Sequence, residues 1–174
     1  MPPAKIGILP GSLPQEHYAA IGKVASNWSV FERIVDSAIW GLAYAEDEAA
    51  ACLTAQFAGT PSRFNALIAL VKLRGGSTTM VEKIEAFHKA SNALVARRNR
   101  VIHDPWVLER SSLRPYRLEI SAQKHLIFEY RPMDTRSVLA IAEDIANHIN
   151  LFGDLINELI GEVHTLSEKL RPPS

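Results

Sequence analysis

The side chains best suited to chemistry are densest at Arg97-Arg98-Asn99-Arg100-Val101-Ile102-His103-Asp104-Pro105-Trp106. Three guanidiniums, an amide and an imidazole fall within about two turns of a helix. Pro105 has no backbone N–H and clashes with the preceding turn, so the helix is predicted to stop just beyond the imidazole. Asn99 and His103 stand four residues apart, on one helix face, where an amide can orient a ring. Arg98 and His103 are five apart, about 140° around the axis, and flank one groove in which an anion would touch both. An imidazole moves protons near neutral pH, and a guanidinium fork stabilises charge on phosphoryl oxygens. The pair therefore suits phosphodiester cleavage without a metal. Arg97 and Arg100 are the accompanying candidates for RNA or phosphate binding.

The run Arg98-Asn99-Arg100-Val101-Ile102-His103, an arginine, four residues and a histidine with a polar residue after the arginine, resembles the motif of the HEPN superfamily. The resemblance implies an all-α bundle that forms a homodimer, with two such helices facing each other. In active members it also implies a metal-independent endoribonuclease, here with Arg98 and His103 as catalytic residues of a composite site and Asn99 in support. It further implies a toxin-antitoxin or defence setting and a regulatory partner protein. Other members are non-catalytic accessory modules, so a groove that only binds RNA, a nucleotide or a protein is the alternative reading. The better-known nucleases carry a tyrosine two residues after the histidine; here Trp106 follows Asp104-Pro105 instead.

The elements that must position these residues read as a mainly α chain, an up-and-down helical bundle of about five helices with a β insertion. Residues 1–14 read as an extended N-terminal arm. From Gln15, Tyr18, Ile21, Val24, Trp28, Phe31, Val35, Ile39 and Leu42 recur at helical spacing. Glu32 lies inside that stripe and either pairs with Arg98 or Arg97 as a supporting residue or reaches water from the stripe's edge. Glu46-Asp47-Glu48 opens a short alanine-rich helix. Thr60-Pro61 supplies an N-cap and a first-turn proline for a third helix that ends at Gly75-Gly76. Thr79 and Glu82 have capping-box spacing, so the motif helix is predicted over about 79–104. Beyond it the period changes to two: Tyr116, Leu118 and Ile120, then Leu126, Phe128 and Tyr130, alternate with polar residues. This predicts two or three antiparallel strands over about 106–131, which either roof the groove at Arg98 and His103 or cover an apolar flank. Asp134 is placed to cap a long last helix that carries Val138, Ile141, Ile145, Ile149, Phe152, Ile156 and Leu159. Its broad apolar face suits a core and a second subunit together.

With 174 residues the chain reads as a single domain that can bury a real core unaided. Nineteen basic residues balance nineteen acidic ones, which excludes a global basic field and makes any RNA contact local. The lone Cys52 cannot form an internal disulfide, so a reducing, cytoplasmic setting is expected. No apolar run approaches the roughly 20 residues of a membrane span, and no membrane partner is expected. The sequence holds no HExxH, no CxxC pair and no glycine-rich phosphate loop, so neither a metal nor a cofactor is expected. Asp144 and His148 read as an i, i+4 surface pair, and His17 and His88 have no recognisable partner.

Overall fold

A computed structural model describes residues 8–10, 13–122 and 126–169. In chain order they form β1 (Ile8–Pro10), α1 (Gln15–Ala43), α2 (Asp47–Thr54), α3 (Thr60–Leu73), α4 (Thr78–His103), β2 (Trp106–Glu109), β3 (Pro115–Ser121), β4 (Ile127–Pro132) and α5 (Thr135–Lys169). The predicted mainly α architecture with a strand insertion before the last long helix is what the chain adopts. The described part of the N-terminal arm, β1, pairs antiparallel with β2, so the sheet order is β1-β2-β3-β4.

The helix ends follow local chemistry, with two corrections to the expected caps. Asp134 caps α5 as expected, accepting the backbone N–H of Ser137 at 2.8 Å and its hydroxyl at 2.6 Å. The same bonds hold the Asp134 carboxyl below its usual range. For α4 the cap is Ser77 rather than Thr79, because the helix begins at Thr78 and the Ser77 hydroxyl accepts the Met80 N–H at 3.1 Å. Thr60 is likewise already inside α3, and Gly59, at φ 84°, takes the N-cap place. At the other end of α3, Gly75 is left-handed at φ 79°. Its N–H bonds the Lys72 carbonyl and that of Gly76 the Val71 carbonyl, which closes the last turn.

The chain forms two compact units, and α1, α4 and α5 each contribute a segment to both. One unit, Ser29–Ala93 with the chain from Asn147, is built on buried Phe31, Phe64 and Phe152. Phe87 joins them, its ring centroid 5.1 Å from that of Phe152. Leu67, Val71, Met80, Ile84 and Leu159 complete this core. His148 lies within it, hydrogen-bonded to the Ser91 hydroxyl at 2.8 Å and stacked on Phe87 at 4.0 Å. The expected surface pair with Asp144 does not form. Burial lowers the pKa of His148.

The other unit takes the chain up to Trp28 and Leu94–Ala146, and it carries the sheet and the tip of α4. Val24, Trp28, Val101, Val107, Leu108, Val138, Ile141 and Ile145 are buried there. Register places Arg117 opposite Arg131 and Glu119 opposite Glu129 on one face of the hairpin, with Leu118 opposite Tyr130 and Ile120 opposite Phe128 on the other. The charged face is the one tied to α4. Ile120 and Phe128 remain 49% and 59% exposed.

Candidate functional site

At about 100° per residue, the tip of α4 presents two different faces. Arg97, Arg100, Val101 and Asp104 share one side; Arg98, Asn99, Ile102 and His103 share the other. The three arginines therefore do not form one cluster.

On the first side the guanidiniums meet carboxylates. Arg97 pairs with Asp144 of α5 at 2.6 Å, with both side chains nearly half exposed. Arg100 lies 3.4 Å from Asp104 and 3.6 Å from Glu119 of β3. Asp104 also accepts from Arg117 of β3, and Arg117 reaches Glu119 at 3.2 Å. A backbone bond from Leu118 N–H to the Pro105 carbonyl, 2.8 Å, pins the same junction. The sheet is thus bound to the side of α4 that carries Arg100 and Asp104. It does not roof the groove at Arg98 and His103, where His103 is exposed.

On the second side, Arg98 Nη1 donates to Asn99 Oδ1 at 2.9 Å and lies 3.2 Å from His103 Nε2. A guanidinium has no acceptor, so in this hydrogen bond Arg98 is the donor and Nε2 the acceptor. Arg98 and His103 are thus in direct contact rather than on opposite walls of a groove. Asn99 bonds Arg98 through its carbonyl oxygen rather than the ring of His103. Among the described residues no carboxylate pairs with Arg98, and its Nε has no acceptor. This is the cation at the tip not neutralised by a neighbour.

Glu32 is paired within its own unit. Its partner is Arg63 Nη1, at 3.7 Å, in the unit that contains Phe31, and Asp36 holds the same guanidinium at 2.8 Å. The reason is that α3 brings its own arginine to the acidic edge of α1. Trp106, by contrast, has a structural task at the tip. Its indole N–H donates to the Val101 carbonyl at 2.8 Å, satisfying one of the orphan acceptors of the helix end. His17 lies edge-on to the same ring at 4.6 Å and bonds the Thr135 hydroxyl at 3.1 Å. Its burial lowers the His17 pKa, with nearby Asp134 and Glu16 opposing.

Comparisons of the chain with family models, with curated proteins and with solved structures give no match. The site is therefore characterised by its own residues. Zero net charge conceals an uneven distribution. The unit that carries the α4 tip has eleven basic and eight acidic residues, a formal charge of +3, and the other has eight and eleven, or −3. Arg110, Arg114, Arg117, Arg131 and Arg136, none of which belongs to a recognisable motif, supply that excess. Among the described residues, no group of three or more His, Cys, Asp or Glu side chains could hold a metal ion, and no helix is long and apolar enough to cross a membrane.

Proposed function

We propose that the protein is a metal-independent endoribonuclease of HEPN type, cytoplasmic and homodimeric, with Arg98 and His103 of two copies forming one composite site. The observation that carries the reading is an exposed imidazole touching a guanidinium that no carboxylate neutralises, on a basic unit. With its lone pair on Nε2, His103 of one copy takes the proton of an RNA 2′-hydroxyl. O2′ then attacks the adjacent phosphorus, the P–O5′ bond breaks, and a 2′,3′-cyclic phosphate forms. The protonated His103 of the other copy gives its proton to the departing 5′-oxygen. Arg98 exchanges its contact with His103 for the phosphoryl oxygens and stabilises the charge that develops there. Asn99 holds Arg98 in place.

The test is incubation of purified protein with total cellular RNA in chelator. Cleavage should fall by roughly 10²–10⁴ in His103→Ala and by about 10²–10³ in Arg98→Ala. The wild-type protein should sediment as a dimer. Residual cleavage unchanged in His103→Ala would remove the reading. A binding module without catalysis is favoured by one observation: Arg98 Nη1 is already engaged by Asn99 and His103 in a single copy. Salt-sensitive RNA binding with no cleavage by the wild type, unaffected by His103→Ala but lost in Arg98→Ala, would select that reading.

A further inference from the structure

Arg97, Arg100 and Arg117 converge on a second opening, on the side of α4 away from His103. With Ser137, Met133 and Ile141 they line a cleft of about 400 Å³ between the α4 tip, β3 and the start of α5. Three arginines and a serine are among its lining residues, and no aspartate or glutamate is. The carboxylates that pair with these arginines are Asp144, Asp104 and Glu119, none of them a lining residue. Asp104 serves two guanidiniums and Glu119 three, counting Arg131. Each guanidinium has five N–H donors, so the shared carboxylates leave donors unused. Arg117 Nε also has no acceptor, but it is buried and closed to the cleft, so the open donors are those of the terminal nitrogens.

We propose that this cleft binds a phosphate ester of nucleotide size, with the phosphoryl oxygens on Arg97, Arg100 and Arg117 and the sugar or base against Met133 and Ile141. Guanidinium forks match phosphoryl geometry, and the volume lies in the range of small-ligand sites. The ligand is a free mononucleotide or one nucleotide of an RNA. The site is separate from His103 and does not depend on RNA being cleaved there.

The experiment follows the arginine Nε–H signals by NMR in the full chain carrying His103→Ala, which keeps RNA intact. 5′-AMP is titrated in one arm and a short single-stranded RNA in the other. Ser137→Glu puts a carboxylate into the cleft while supplying the acidic third residue of a capping box behind Asp134, so α5 should keep its start. Binding seen at Arg97 and Arg117 should weaken by about tenfold or more in Ser137→Glu, through like-charge repulsion of the phosphate. It should persist in Arg98→Ala. Ala140→Glu, on the exposed side of α5, gives a second blocking variant. Saturation by 5′-AMP alone identifies a mononucleotide site; saturation by RNA identifies an RNA subsite. Signals that move only at Arg98, or equal affinity in both blocking variants and their parent, overturn the proposal without touching the reading of His103. No response to either ligand at millimolar concentration also overturns it.

Discussion

Asp104→Asn is the substitution that most sharply probes how the α4 tip is built. Its carboxylate accepts from Arg117 and lies 3.4 Å from Arg100, and the Asp104 and Arg117 side chains are each only 13% exposed. Removing one partner of a fully buried ion pair costs about 3–5 kcal/mol, because the other charge is left behind. Here two features reduce that figure. Asn keeps an acceptor oxygen, and Arg117 retains Glu119 at 3.2 Å. A loss of about 2 kcal/mol is expected, and at this chain length that lowers the melting temperature by roughly 4–8 °C. The contrast is Asp144→Asn, which breaks the Arg97 pair. With both side chains nearly half exposed, the cost there should stay below about 1 kcal/mol. Urea denaturation of both variants, with Arg117→Met and the double variant Asp104→Asn/Arg117→Met, measures the coupling directly. If Asp104→Asn and Asp144→Asn cost the same, or the cycle shows no coupling, the sheet is not held to α4 by this carboxylate.

Phe152→Ala removes a fully buried ring that meets Phe31, Phe64 and Phe87, and should cost about 3–5 kcal/mol in chemical denaturation. A loss under about 1 kcal/mol would mean that this cluster is not the core of its unit. Burial lowers the pKa values of His148, His17 and His88 below the ordinary 6.5. The unfolded chain therefore takes up more protons once the pH falls below about 6.5, and stability present above that value is lost on acidification toward the folded-state pKa values. Melting temperatures from pH 7.5 to 5 should fall, and less so in His148→Gln; a flat profile would contradict the burial of these rings. Asn99→Asp sets a carboxylate beside Arg98 and should suppress RNA binding or cleavage several-fold, whereas Asn99→Ala should do less. Equal effects in an RNA assay would show that the charge on Arg98 is not what matters.

Much of the fold was legible because amphipathic periods report burial. The stripes of α1 and α5 named Phe31, Val35, Ile141, Ile145, Phe152 and Leu159, all buried. The change of period after Pro105 located the strands. Less legible was the side on which the hairpin would pack. Alternation tells two faces apart, and burial of the apolar one is the usual outcome. Here salt bridges from Asp104 and Arg100 took the charged face instead. The polar residues of the cores were also hidden. Ser91 and His148 are 57 residues apart in the chain, and no spacing rule links them.

The sequence alone determined which residues end α4, that an arginine and a histidine share that end, and that α5 begins after Asp134, because caps, prolines and periodicity act over a few residues. Which cation stays unpaired was decided by the tertiary structure. Arg97, Arg98 and Arg100 are equivalent in composition, yet α5 brings Asp144 to the first and β3 brings Glu119 to the third. Ion pairing between elements depends on which helix face looks outward, and neighbours dozens of residues away in the chain settle that.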